Sequence, residues 1–494
     1  MINMNSALIN SFYRQGASHK PQGIPCQDHA RDFKDDKIGI LALSDGHGGK
    51  KYFRSQYGSE IAVNIAEETL KEFCRDFDFQ KYFSGDNPPE INLGIQDEVD
   101  VKFNDLEFVM RHVFVHICSR WHREIERHWN ENPLKEDERT YLYKEQNNSV
   151  SLYEYYFDKE DKVITKNLPS AYGCTLFGVA ETIDGYWIAF QIGDGKCIAF
   201  REDGSWYEPI PWDNRCYQNL TTSLSHYGEE SFRYAIGKGI PPAIFIASDG
   251  MDDSFAPESE LAFEYAIRFL SNILLRDPDS IKVGFEKMLD DISTNLSRDD
   301  MSMGYMVWKE RATSALYNYC QTQLPKFNDK LEKARSSQKE KQKRYKEMQA
   351  TLSVKQSEME ASRTFIDTSI QEGAEKEAKL TSLVQEREKK DQSTKKFLSR
   401  RKDLLSLFKP NKKTEEEQWL ENELESLANQ IESNKTVIEK TERELRQMER
   451  ELPVAKKHAS ESEKEVIYIQ RKLDRLSKVK TALESYMSRG KEQQ

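Results

Sequence analysis

Ile38-Gly39-Ile40-Leu41-Ala42-Leu43-Ser44-Asp45-Gly46-His47-Gly48-Gly49 is the stretch on which the fold turns. An apolar run that stops at Asp-Gly reads as a buried strand delivering a carboxylate to the rim of a sheet, where glycine lets the backbone turn sharply. The same ending recurs in Trp187-Ile188-Ala189-Phe190-Gln191-Ile192-Gly193-Asp194-Gly195 and in Ile244-Phe245-Ile246-Ala247-Ser248-Asp249-Gly250. A single Asp-Gly is usually a hairpin turn. Three of them, with further acids at Gln27-Asp28 and Asp299-Asp300, suggest oxygen ligands gathered from distant segments onto one hard-cation site.

Around these runs, residues 5–311 mix short strands with helices. Ile38–Ser44, Cys174–Ala180, Trp187–Ile192, Ile244–Ser248 and Tyr305–Trp308 carry the β-branched and aromatic content of strands. Tyr52–Phe73, Phe108–Trp129, Pro257–Leu275 and Ser280–Leu296 carry apolar residues at helical spacing. Without βαβ regularity, this pattern predicts an α+β layered domain. The polar, acidic, turn-rich stretches 76–94 and 130–170 read as insertions or mobile loops.

The 494 residues exceed one ordinary domain, and composition divides them. From Pro325 onward there are about 39 Lys and Arg against 32 Asp and Glu, which leaves roughly −18 of charge on the first part out of −11 overall. So acidic a domain speaks against a nucleic-acid surface and suits cations. Seven scattered cysteines without a CxxC pair signal neither a disulfide framework nor a zinc site. The first residues lack a basic-then-apolar leader and no long apolar run follows, so the expectation is a soluble, cytoplasmic protein.

Heptad spacing in the tail, 316–494, predicts a long antiparallel α-helical coiled-coil hairpin. Its first arm is polar on the seam, running weakly from Leu324, Phe327, Leu331 and Ala334 to Phe397, Leu404 and Phe408. The second has a cleaner seam from Leu420, Leu424, Leu427 and Ile431 to Ile469, Leu473 and Leu476. The turn is expected near 409–414, and Pro453 should kink the returning arm. Cations and large apolar residues interleave near the tip, at 395–409. A solvated helix end is favoured there over membrane or nucleic-acid contact, with self-association or a protein partner assigned to the coiled coil.

Over residues 8–310 the acidic constellation resembles the PP2C family, the metal-dependent serine/threonine phosphatases also called PPM. Gln27-Asp28 stands at its Glu-Asp element, Asp45-Gly46-His47-Gly48-Gly49 at its Asp-Gly-His-x-Gly, and Gly173-Cys174-Thr175 with Gly193-Asp194-Gly195 at the middle pair. Ser248-Asp249-Gly250 and Arg298-Asp299-Asp300 stand at the last two. The resemblance implies a central β-sandwich flanked by helices and two Mn²⁺ or Mg²⁺ ions, with a weaker third. It implies that Asp45 bridges the ions, that the Gly46 carbonyl binds one, and that Asp249 and Asp299 bind the other. It further implies that Asp194 joins Asp249 at the third site, that Asp28 orients water held by the metals, and that His47 protonates the departing seryl or threonyl oxygen.

Two departures matter. Gln27 replaces the family's ligand Glu, and an amide oxygen coordinates without charge. Gly23 replaces a phosphate-gripping arginine, so the substrate phosphate must rely on the metals or on a substitute such as Lys20 or Arg14; the string Gly16-Ala17-Ser18-His19 through Asp28 resembles the bacterial branch, which also lacks that arginine. The function expected is hydrolysis of phosphoserine or phosphothreonine on a protein substrate. The rival from another class is a metal-poor, phosphoprotein-binding scaffold working through its coiled coil. A two-metal nuclease is disfavoured by the domain's charge. His112 and His116 lie one helical turn apart with no acid or third ligand signalled nearby, and neither the positioned acid nor the elbow turn of a hydrolase triad is signalled around Ser18-His19.

Overall fold

The computed structural model describes residues 4–84, 90–94, 103–147, 149–216, 220–226, 228, 231–255, 258–400, 406 and 409–492. Two antiparallel sheets form the centre. One has the order β1 (Ala7–Arg14), β13 (Met301–Trp308), β12 (Ala243–Ala247), β9 (Lys196–Phe200) and β10 (Trp206–Tyr207). The other has the order β2 (His29–Lys34), β3 (Ile38–Ser44), β7 (Leu176–Thr182), β8 (Tyr186–Ile192), β11 (Arg233–Lys238) and β4 (Glu90–Gly94). The α+β sandwich expected from the sequence is therefore observed.

Strand periodicity explains the layering. In β3, Leu41 and Leu43 join Phe177, Val179, Ile244, Ile246 and Met306 between the sheets, whereas Ile40 and Ala42 face the helices α1 (Ser55–Asp76) and α3 (Asn104–Glu131). Both faces are covered, so the strand shows no polar alternation. On the far side of the first sheet, Phe12 and Tyr305 stack with Phe285 of α10 (Pro278–Asn295). The expected Pro257–Leu275 helix is present from Glu258 onward, with a π-helical turn at Tyr265–Leu270 between α8 (Glu258–Glu264) and α9 (Ser271–Leu275). Residues 256–257 lie outside the described residues. Strands β1, β2, β4, β9, β10 and β11 are additions to those read from the sequence.

Segment 130–170 is not a mobile loop. It contains α4 (Glu136–Lys144), a small hairpin of β5 (Gln146–Asn147) and β6 (Val150–Ser151), α5 (Leu152–Tyr156) and α6 (Leu168–Ala171). The physical reason is burial of large apolar and aromatic side chains: Leu142, Leu152, Tyr156 and Leu168 are at most 3% exposed. Ser151 and Glu154 close a capping box at the start of α5. Between residues 76 and 94, α2 (Phe79–Tyr82) and the edge strand β4 are likewise ordered elements, with 85–89 outside the described residues.

Two compact units divide the chain: Met1–Lys326 together with Asp474–Gln494, and Phe327–Leu473. Two long helices, α11 (Lys309–Leu398) and α12 (Glu415–Glu492), supply the second unit. There they run antiparallel: Arg335 meets Gln470, Lys355 meets Glu444, Lys376 meets Glu423 and Arg387 meets Glu417. The seam read in α12 is the one turned inward, with Leu420, Leu445 and Ile469 buried and Asn434 and Ile438 half-buried. The helix continues through Pro453. Phe397, assigned to the first seam, is 72% exposed, and Leu404 and Phe408 lie outside the described residues. In the first unit, the end of α12 buries Leu476 and Leu483, and Arg475 pairs with Glu264 at 2.8 and 3.3 Å.

Candidate metal centre

Antiparallel pairing carries the acids to one rim. Asp45 follows β3, Asp194 follows β8 and Asp249 follows β12, while Asp28 precedes β2 and Asp299 precedes β13. Chain ends that alternate in direction place these five segments on the same side. The cleft they form, about 700 Å³, is lined by all eight residues singled out from the sequence: Gln27, Asp28, Asp45, Gly46, His47, Asp194, Asp249 and Asp299.

Local hydrogen bonds fix the rim. The Asp45 N–H donates to Thr175 Oγ1 at 3.0 Å, the Thr175 N–H to the Asp45 carbonyl at 2.8 Å, and the Gly46 N–H to the Gln27 carbonyl at 3.1 Å. A Cβ on Gly46 would sit 2.6 Å from that carbonyl, and one on Gly250 would sit 2.3 Å from the Asp300 carbonyl. These glycines are required by close approach of backbone to backbone. Asp300 staples the N-terminal segment to β13: its carboxylate accepts from the N–H of Gly16 and of Gln27, both at 2.6 Å, and contacts His19 Nδ1 at 2.9 Å.

Gln27 has a definite orientation. Its amide nitrogen donates to the His47 carbonyl (3.1 Å) and to Ser55 Oγ (2.5 Å), so Oε1 is the side-chain oxygen not used in these two bonds. A glutamate there would set carboxylate against the His47 carbonyl, so the amide braces the His47 turn. His47 itself hydrogen-bonds through its N–H to Gly173 O (3.0 Å) and meets the Tyr52 ring edge-on at 4.7 Å.

The electrostatics call for positive charge. Asp45 is pushed well above the usual carboxylate range by burial, then by Asp28 and Asp249. Burial and then Asp300 push Asp28 up to about 8, and burial followed by Asp249 pushes Asp194 up to about 6. Ser302 Oγ donates to Asp28 Oδ2 at 2.7 Å, whereas Asp28 Oδ1 is buried with no hydrogen-bond partner among the described residues. Mutually repelling carboxylates with an orphaned buried oxygen fit hard dications. Among the described residues no three His, Cys, Asp or Glu side chains converge tightly enough to hold an ion unaided. An ion seated there would complete its shell with water.

The cleft and its order of acids agree with the comparison against protein families, in which the model for protein phosphatase 2C matches residues 15–290. The chain belongs to the protein phosphatase 2C family. Phosphatases of this family depend on Mg²⁺ or Mn²⁺. Among solved structures, this phosphatase 2C chain is similar to RsbX in complex with magnesium, at 12% identity over 61% of this chain and 94% of that one, TM-score 0.30. It is also similar to a bacterial serine phosphatase carrying an arginine-to-glutamate substitution (13%, 61% and 97%, TM-score 0.32) and to the photosystem II phosphatase PBCP (11%, 61% and 98%, TM-score 0.32). No curated protein matches the chain.

Several lining residues carried no signal in the sequence: His19, Lys51, Tyr52, Thr221 and His226. The two substitutes read for the missing arginine lie elsewhere, since Arg14 pairs with Glu286 at 2.6 Å and Lys20 with Asp290 at 3.2 Å. Ser18 Oγ donates to the Arg298 carbonyl at 2.7 Å, and His112 Nδ1 faces the Phe108 carbonyl at 2.8 Å, so neither forms a second site. Among the described residues no helix is long and apolar enough to cross a membrane.

Proposed function

We propose that this chain is a protein phosphatase that hydrolyses phosphoserine or phosphothreonine with two Mn²⁺ or Mg²⁺ ions. The observation that carries the reading is the convergence of Asp28, Asp45, Asp194, Asp249 and Asp299, from five separate segments, on one cleft beside His47. When bound, the ions supply positive charge to the phosphoryl oxygens and lower the pKa of water toward neutrality. Asp45, with the Gly46 carbonyl and Gln27 Oε1, would hold one ion, and Asp45, Asp249 and Asp299 the other. Asp194 with Asp249 would form a weaker third site. Asp28, whose Oδ1 has no hydrogen-bond partner among the described residues, would orient the attacking water.

The reaction breaks the ester P–O bond, and the departing oxygen needs a proton. His47 is neutral at rest, pushed down to about 3 by burial and then by His226 and Lys51. A phosphate dianion entering beside it would raise its affinity for a proton, the direction a donor to the departing oxygen needs. The coiled coil is proposed to assemble or target the enzyme.

Hydrolysis of a phosphothreonine peptide with and without Mn²⁺, against Asp249→Asn, tests the reading. Loss of turnover on either metal removal or substitution is expected. Turnover indifferent to both would overturn it, and metal binding without any turnover would favour the scaffold.

A further inference from the structure

The cleft is strongly polarised. Its carboxylates are gathered on the strand ends, whereas His47, Lys51 and Tyr52 come from the turn after β3, and His226 from the segment before β11. Among the described lining residues Lys51 is the sole lysine or arginine. It has no carboxylate partner among the described residues, in contrast to its neighbour Lys50, which pairs with Glu145 at 2.7 Å. Its ammonium lies 4.7 Å from the Tyr52 ring centroid, and its charge is felt at both the His47 and the His226 imidazole.

The backbone beneath Lys51 is fixed from outside the sandwich. Tyr156 of α5 donates its hydroxyl hydrogen bond to the Lys51 carbonyl, and Tyr141 of α4 donates to the Lys50 carbonyl at 2.9 Å. Arg54 makes a paired contact with Glu138 of α4, at 2.9 Å from both nitrogens, and stacks over Trp129. The Tyr52 N–H closes the turn onto the Gly49 carbonyl at 2.9 Å. Segment 130–170 thus buttresses the turn that presents the cation. A lysine acts on phosphate as a point charge and needs only to be aimed.

We propose that Lys51, held in place by Tyr141 and Tyr156, grips the phosphoryl group of the substrate and replaces the arginine absent at Gly23. The assignment rests on the phosphatase reading above, and its test separates the two. Binding of inorganic phosphate to the full chain in Mg²⁺ is measured by calorimetry for wild type, Lys51→Met, Lys51→Arg and Lys50→Met, alongside KM and kcat on a phosphothreonine peptide. Lys51→Met should weaken phosphate binding at least tenfold and raise KM more than it lowers kcat, with Mg²⁺ affinity and melting temperature unchanged. Lys51→Arg should recover most of the loss, and Lys50→Met should stay within twofold of wild type. Phosphate binding by Lys51→Met within twofold of wild type, or none by wild type, overturns the assignment. Lys51-dependent phosphate binding without peptide turnover sinks the phosphatase reading and leaves the phosphate site standing.

Discussion

Asp28 and Ser302 make one strong hydrogen bond at 2.7 Å and leave the second carboxylate oxygen buried without a partner among the described residues. Without metal, that carboxyl holds its proton up to about pH 8, whereas the unfolded chain releases it near the ordinary value of 3.8. Stability of the metal-free protein therefore declines as pH rises from about 4 to 8. Asp28→Asn should raise the melting temperature of the chelated protein at pH 7.5 and reduce the gain on adding Mg²⁺; an unchanged Mg²⁺ gain would remove Asp28 from the site. Gly46→Ala, which drives a Cβ to 2.6 Å from the Gln27 carbonyl, should cost about 1–3 kcal/mol in denaturant unfolding. Asp45, Asp194 and Asp249, each with its following glycine, were legible because each pair ends a recognisable apolar run, and Asp28 and Asp299 because they stand in the family's motif order. Lys51 was not: a lysine beside another lysine in a turn has no period, and only its place in the cleft, with Tyr156 on its carbonyl, distinguishes it from Lys50.

β7 contributes a second titrating group, away from the cleft. Glu181 is fully buried, accepts from Trp308 Nε1 at 2.7 Å, and is pushed up to about 8 by burial. Because the folded value lies above the unfolded one, its stabilising proton is kept at low pH and lost as pH rises through 8. Glu181→Gln should flatten the fall in stability between pH 5 and 8.5 by a few kcal/mol, since each tenfold difference in proton affinity between the folded and unfolded chain is worth about 1.4 kcal/mol. A wild-type slope in that variant would place the loss elsewhere. The helices α4 and α5 carry a separate expectation: the double change Tyr141→Phe and Tyr156→Phe should speed amide exchange at residues 50–54 while the sandwich strands keep their protection. Equal exchange would show that the two hydroxyls do not brace the turn. Composition hid these elements, since polar residues dominate the count of 130–170 while a few buried apolar and aromatic side chains decide its order. In α12, by contrast, a sustained heptad in one strip of sequence forecast the buried seam.

The returning helix ends as part of the first unit. Long-range contacts such as Arg475 with Glu264, Tyr317 with Glu484, and Lys309 beneath the Tyr486 ring leave no trace in local pattern, which is why the last residues read as mere continuation of the hairpin. Ending the chain after Leu473 removes the buried Leu476 and Leu483, about 3–6 kcal/mol of apolar burial, and leaves Glu264 with only Arg268 among its described cation partners. The melting temperature of the shortened protein should fall by roughly 5–15 °C; an unchanged value would show that the segment adds nothing to the first unit.

Both ends of the hairpin belong to the sandwich unit, and residues 409–414 between the arms are exposed and non-helical. A protease that nicked the peptide bond within that bend would create two fragments, each carrying an indispensable piece of the same globule. They should co-elute under native conditions and separate only in denaturant, like a protein reconstituted from complementary halves.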